Sequence, residues 1–416
     1  MDIKKILGKI LNHELKGQDS YNYKPNKSML FKEYFINYLI GREGESRSRS
    51  YSITLTMAIH IINGLGNYKM EDINKDVLKR FINQFASTKY EKSPKTHEME
   101  YYSQSTINKV YNLLHGAIKE ASSEDGDKLL RIDYMSNIKK PRSKKMDTNA
   151  IKAFSANDVH SLLEIVCENS MIYVWVYIML YTGVRPSEAL ALKFSDINYT
   201  EKTVEITKTL SQEDFYDAEH LVKLKPSQPI ITNLKNERGS EKVNWQRRTL
   251  KVSDRLLSVL KLWEIHIKGD EKMMSMKRAN GTEDYLFCGS HGQLWLYEYY
   301  SQVYKRLLKK HGLKYSDFHP YRFRHTYCTQ LFRMNVNIKA AQLIMGDNTP
   351  EMVMQVYANL DKSDVLNGSE SLAKSLDVSF DIPKGLSQRD SDILSQIHTD
   401  RHCLPPQYTY SQTMSK

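Results

Sequence analysis

The chain is poor in cysteine and in long apolar runs, and its acidic residues are outnumbered by basic ones. Its 416 residues include 4 cysteines. Cys167, Cys288, Cys328 and Cys403 form no CxxC pair and stand at no His/Cys ligand spacing. No structural zinc is expected, and the scatter suits a reducing compartment. The most apolar stretch, residues 171–184, runs for about 14 residues, short of the roughly 18 that cross a bilayer. It reads as a buried helix. The amino-terminal MDIKKILGKILNHELKG has no apolar run of signal-peptide length and no small-residue cleavage site. A cytoplasmic protein without a membrane partner is expected. There is no P-loop and no carboxylate pair at metal-binding spacing, so no nucleotide, cofactor or metal is expected.

What is present is basic charge on an otherwise ordinary globular composition. Hydrophobic residues make up 40% and charged residues 26%, which excludes a disordered or collagen-like chain. Lys and Arg number 60 against 49 Asp and Glu, a formal charge of +11. Such a surplus points to a polyanionic partner, nucleic acid ahead of a membrane surface. The length suggests two or three domains.

Residues 1–27 are polar and basic. Amphipathic helical patterns follow at 29–41, 52–66, 72–85 and 103–121, with Ser105 or Thr106 as the N-cap of the last. No strand is expected in this block. Residues 138–150 read as a linker, with five basic side chains against one acidic, a proline and no apolar periodicity. A second block opens with a capped helix at 155–166 and the buried helix from 171. Strand-like segments lie near 203–207, 230–232 and 249–252. Helices resume at 254–265, 297–311, 326–334 and 338–345, and another begins with Pro350. The last fifty residues are polar, with five basic and six acidic side chains, and predict a short helix or no regular structure. The expected class is mainly α with a small β-sheet: an all-helical domain followed by an α+β domain.

Three strings carry chemistry. In TGVRPSEALAL (182–192), one helix stops at a glycine and another starts at Pro186, which puts Arg185 at a corner between them. A guanidinium there can grip two phosphate oxygens and stays charged. In FHPYRFRHT (318–326), basic and hydrogen-bonding side chains crowd a helix N-terminus, where backbone N–H groups already favour an anion. In LIMGDNTPEMVMQVY (343–357), a helix ends at Gly346 and the next brings in Tyr357 two turns later. Each string alone is also what ordinary caps, turns and packed tyrosines produce.

Together and in this order, the strings resemble the tyrosine recombinase, or phage-type integrase, family, and are most like integrases of mobile elements in low-GC Gram-positive bacteria. TGVRPSEALAL is similar to the family's first arginine motif, RHTYCTQLF to its second and the MGD…VYA segment to its terminal motif. The resemblance covers roughly residues 28–362. It implies a basic N-terminal segment (1–27), a helical core-binding domain (28–137), a basic linker (138–151), a DNA breaking–rejoining catalytic domain (152–362) and a C-terminal tail (363–416). Arg185 and Arg324 would clamp the scissile phosphate, and Tyr357 would attack it to give a 3′-phosphotyrosine and a free 5′-hydroxyl. A phenol of pKa about 10 is a weak nucleophile, and two guanidinium groups favour its anion. Glu188 would orient its neighbours and His325 would support them. The family's hairpin lysine, which protonates the leaving oxygen, corresponds to Lys235, with Lys242 and Lys225 as alternatives.

Two positions depart from the family pattern. Tyr321 stands where histidine is usual, three residues before the second arginine, and can still donate to phosphate. Asp347 stands where histidine or tryptophan follows the glycine. Its carboxylate would repel phosphate unless protonated or paired with an arginine. A second register would make His319 and Arg322 the motif pair; Arg324 is preferred because Arg-His-Thr continues as the family's helix does. The implied function is site-specific recombination that integrates or excises a mobile element, without metal or ATP. Four protomers would act on two double-stranded DNA sites, with a directionality factor as a further partner. The alternatives are a DNA-binding protein of the same fold whose catalysis has decayed and, less well matched, a type IB topoisomerase.

Overall fold

The computed structural model describes residues 25–42, 44–45, 48–93, 97–124, 128–145, 153–217, 222–234, 246–334, 336–347 and 353–354. The chain divides into two units, Met1–Thr148 with Gln212–Gln228, and Asn149–Ser211 with Pro229–Lys416. The architecture is mainly helical with small sheets.

The first unit is built on helices α1 (Phe31–Gly41), α2 (Ser48–Leu65), α3 (Lys75–Ser87) and α4 (Gln104–Ser122). Apolar residues at three- and four-residue spacing, such as Phe31, Tyr34, Phe35 and Leu39 on α1, form one buried stripe. The opposing stripe on α4 is Val110, Leu114, Ala117 and Ile118. The Tyr34 phenol donates to the Ala117 carbonyl at 2.6 Å and ties the two helices. The N-cap of α4 is Ser103, not Ser105 or Thr106. Ser103 is the last extended residue, and its hydroxyl accepts from the Thr106 N–H.

This unit does contain strands, contrary to the sequence expectation. β1 (Lys89–Ser93) and β2 (Glu98–Tyr101) pair antiparallel, with Tyr90 opposite Glu100. KYEKS and EMEY hold too few apolar residues to register as strands. What anchors the hairpin is aromatic stacking: Tyr90 on Tyr102 at 4.7 Å and Tyr102 on Phe85 at 4.5 Å. Residues 138–145 lie along the same unit. The Ile138 carbonyl accepts from Tyr111 at 2.5 Å, the Ser143 N–H donates to Gln104 at 2.8 Å, and Lys145 pairs with Glu100 at 2.9 Å.

In the second unit α5 (Ala156–Val166) starts at Ser155, whose capping box is completed by Asp158. α6 (Ser170–Thr182) is buried on every side from Ile172 to Leu180. The Trp175 indole donates to the Pro186 carbonyl at 3.1 Å and fixes the turn that follows. Among the described residues no helix is long and apolar enough to cross a membrane. After the single-turn helix α7 (Pro186–Ala189) come β3 (Ile197–Asn198), β4 (Thr203–Ile206), the paired strands β5 (Lys208–Asp217) and β6 (Val222–Asn233), of which residues 212–228 are grouped with the first unit, and β7 (Arg248–Lys251). The order β3-β4-β7 is antiparallel, with Val204 between Ile197 and Leu250. β6 is far longer than the segment at 230–232 suggested. Pro226 and Pro229 argue against a central strand but are tolerated in a two-stranded ribbon.

Helices α8 (Asp254–Gly269), α9 (Glu271–Ala279), α10 (Tyr297–Lys310), α11 (Tyr321–Arg333) and α12 (Ile338–Met345) complete the unit. α8, α10 and α11 pack on α6, which is thereby the central helix. α11 and α12 share a small core of Cys328, Leu331, Phe332, Ala341 and Met345.

Candidate active site

Three helix ends converge in the second unit. α6 stops at Gly183, whose φ of 64° lies in the left-handed region, and a Cβ there would stand 2.3 Å from the Tyr327 ring. The turn makes Arg185 the N-cap of α7, with Pro186 in the first helical turn. Glu188 accepts from the Arg185 backbone N–H at 3.0 Å and from its Nη1 at 2.7 Å. Arg185 Nη2 donates to the Gly346 carbonyl at 3.1 Å and to Asp347 Oδ1 at 2.7 Å.

Arg324 enters from the first turn of α11 and is only 7% exposed. Its Nη1 donates to the Gly183 carbonyl at 2.9 Å. Its Nη2 donates to the Met345 carbonyl at 2.8 Å and to Asp347 Oδ1 at 2.6 Å. Those carbonyls close α6 and α12, so the cation sits where two helices present unsatisfied acceptors. α12 itself ends at Gly346, with φ of 66°. The Asp347 N–H returns to the Gln342 carbonyl at 3.1 Å, and the Gln342 side chain donates to the Asp347 carbonyl at 3.0 Å. This two-way lock fixes the Asp347 backbone. Of the states foreseen for Asp347, pairing with arginine is the one observed, and it pairs with two.

A third arginine joins them that the sequence reading left out. Arg248 Nη2 donates to Glu188 Oε2 at 2.8 Å, and its Nη1 to the Gln246 carbonyl at 2.9 Å. A Cβ on Gly346 would stand 2.5 Å from Arg248 Nη1, so a larger residue there would shift this guanidinium besides straining the left-handed backbone. The signal was in the strand period. Leu250 is buried, and in a strand Arg248 shares its inward face, whereas Thr249 and Lys251 point out.

The cluster Arg248–Glu188–Arg185–Asp347–Arg324 alternates in sign, with three cations and two anions. Burial opposes the Glu188 charge, but Arg248 and Arg185 outweigh it and hold the carboxyl below its ordinary range. Burial likewise opposes the Arg185 charge, and Glu188 and then Asp347 overcome it, raising the guanidinium pKa. For Arg324 burial, followed by repulsion from Arg185, wins and pushes the guanidinium down to about 10. It stays cationic at neutral pH. Such a cluster can grip an anion through two guanidinium groups and stabilise negative charge that grows on it.

The other expected residues divide clearly. Tyr321 is 47% exposed at the first position of α11, within electrostatic reach of Arg185. His325 is half-buried, and burial and then Arg324 lower its pKa, leaving the ring neutral at pH 7. Arg322 turns away from the cluster. It lies 4.3 Å over the Phe154 ring and donates to the Asp317 carbonyl, so Arg324 and not Arg322 joins Arg185. Lys225 stands 3.8 Å over the Phe215 ring on the β5–β6 pair, in the part grouped with the first unit. Lys235, Lys242, Tyr357 and the 363–416 tail lie outside the described residues.

The sequence model of the phage integrase family matches residues 152–364. The tyrosine recombinase XerC-like protein of Caldanaerobacter subterraneus subsp. tengcongensis is 24% identical over 192 residues, 46% of this chain and 46% of the relative. The transposase from transposon Tn916 of Enterococcus faecalis is 25% identical over 195 residues, 45% of this chain and 42% of the relative. The chain spans about half the length of the curated relatives it matches. Among solved structures it is similar to the Tn1549 transposon integrase in complex with transposon right end DNA. That likeness has a TM-score of 0.59 at 18% identity and covers 83% of this chain and 100% of the other. It shows a shared fold.

Proposed function

Because the chain belongs to the phage integrase family, we propose that it is a site-specific DNA recombinase that integrates or excises a mobile element. The observation that carries this reading is the meeting of Arg185 and Arg324 on one carboxylate oxygen, at 2.7 and 2.6 Å. A phosphate oxygen in that place would be held the same way.

The scissile phosphate lies between Arg185 and Arg324, with Tyr321 adding a hydrogen bond from the rim. Tyr357, its proton released to solvent, attacks phosphorus as the phenolate, the P–O5′ bond breaks, and Lys235 delivers a proton to the leaving 5′-oxygen. The pair of cations stabilises the extra charge of the pentacovalent transition state. Glu188 is a positioning residue, Arg248 holds Glu188, and His325 supports Arg324. The 3′-phosphotyrosine link keeps the energy of the phosphodiester, so rejoining requires neither ATP nor metal. The substrates are double-stranded recombination sites, and the +11 charge suits them. Four protomers exchange strands between two duplexes through a Holliday junction. A directionality factor biases the outcome, and the setting is cytoplasmic. The names of the relatives, a Tn916 transposase and a Tn1549 integrase, support the mobile-element context.

The test is a nicked half-site drawn from the element's ends, incubated in EDTA without ATP and run on a denaturing gel. A slow, protease-sensitive adduct is expected, absent from Tyr357→Phe. DNA shifted in a native gel with no adduct from the unaltered protein overturns the recombinase reading.

A further inference from the structure

We propose that the Asp347 carboxylate is an internal stand-in for the scissile phosphate, which an incoming phosphodiester must displace before Arg185 and Arg324 can hold it. This rests on the phosphate-clamp reading of the two arginines.

Asp347 Oδ1 receives Nη2 of Arg185 and Nη2 of Arg324 together, at the short lengths of charge-assisted hydrogen bonds. Among the described residues these are the only hydrogen bonds of the carboxylate. Asp347 is 4% exposed, and it seals a nearly buried Arg324. Both hydrogens of Arg324 Nη2 are engaged, one by Met345 and one by Asp347. A phosphate oxygen that reaches Nη2 therefore takes the place of Oδ1. The two anions cannot share that place, since like charges at such range repel strongly.

Displacement leaves the fold intact. The Asp347 backbone is held by Gln342, and the side chain carries none of that lock. Rotation about its Cα–Cβ bond opens the clamp while the end of α12 stays in place. The unloaded clamp is thus already partly neutralised, which lessens the repulsion between its two guanidinium groups. It also raises the threshold for occupancy. A lone anion must compete with a tethered carboxylate, whereas a DNA phosphate whose neighbours are held elsewhere on the protein brings the extra binding free energy needed. Asp347 in this role is a specificity-determining residue that discriminates against free anions and loosely held DNA.

The test uses the full chain, with inorganic phosphate as the probe, titrated by calorimetry at constant ionic strength. Asp347→Asn keeps the shape and an acceptor oxygen but removes the charge. It should bind phosphate about tenfold more tightly or better, the scale of one charge-assisted hydrogen bond. Asp347→Ser, also neutral, should change affinity in the same direction. Adding Arg185→Met to Asp347→Asn should erase the gain, which places the bound anion in the clamp. Equal or weaker binding by both neutral variants, each shown to be folded by near-UV circular dichroism, overturns the stand-in role and leaves the clamp reading standing. Failure of every variant to bind phosphate overturns both.

Discussion

Arg324→Met should lower single-turnover cleavage of a nicked half-site by about three to five orders of magnitude, the scale reported by removal of a transition-state arginine. The same substitution should cost about 3–5 kcal/mol of stability, because it strands the partners of a buried cation. Both effects come from one geometry. The guanidinium joins the end of α6, through the Gly183 carbonyl, to the end of α12, through the Met345 carbonyl. It also neutralises Asp347. Methionine fills the volume but satisfies none of these acceptors. Arg324→Lys separates the two consequences. Its single ammonium keeps the charge but cannot span the three acceptors, so it should recover part of the stability and little of the cleavage. Urea unfolding and single-turnover kinetics read the two effects independently.

Glu188→Gln should also cost about 3–5 kcal/mol, since Glu188 is the buried anion between two cations. The pH dependence follows from its depressed pKa. A carboxyl held below its ordinary value of 4.5 contributes stability that is fully present above the unfolded-state pKa. That contribution disappears as the pH falls through the lower, folded-state value. The stability gap between the unaltered protein and Glu188→Gln should therefore be widest near neutrality and close in acid, as chemical denaturation across that range would reveal. Arg248→Met removes the other end of the pair, and the double variant should cost clearly less than the sum of the single ones. Cleavage by either single variant should fall about a hundredfold, because Arg185 loses the carboxylate that aims it in Glu188→Gln and that carboxylate loses its anchor in Arg248→Met, and small misplacements are costly.

Much of this arrangement was legible in the residues. The apolar run at 171–184 demanded burial and became the central helix. Ser155, Pro186, Gly183 and Gly346 marked helix ends by their own backbone chemistry. Arg185, Glu188, Arg324 and Asp347 stood beside those marks, so locating the helix ends located the side chains. What was hidden had weaker local signals. The β1–β2 hairpin is polar and is held by stacking on Phe85, a contact that no periodicity encodes. β6 was obscured by two prolines that its two-stranded setting tolerates. Arg248 follows another arginine on a short strand, and only the burial of Leu250 tells which of the pair points inward. The sharing of Asp347 by two arginines depends on the convergence of α6, α11 and α12, which is tertiary information.

The central claim is that the arginine pair serves a phosphotyrosine reaction at Tyr357. It is tested most directly by mapping the covalent link. The protein would be trapped on a nicked half-site in EDTA, digested with nuclease and then with trypsin, and the peptides fragmented by mass spectrometry. The account predicts a nucleotide mass on Tyr357, lost from Arg324→Met and present in the Asp347→Asn variant. A nucleotide on any of the other tyrosines, or on a serine, would contradict it.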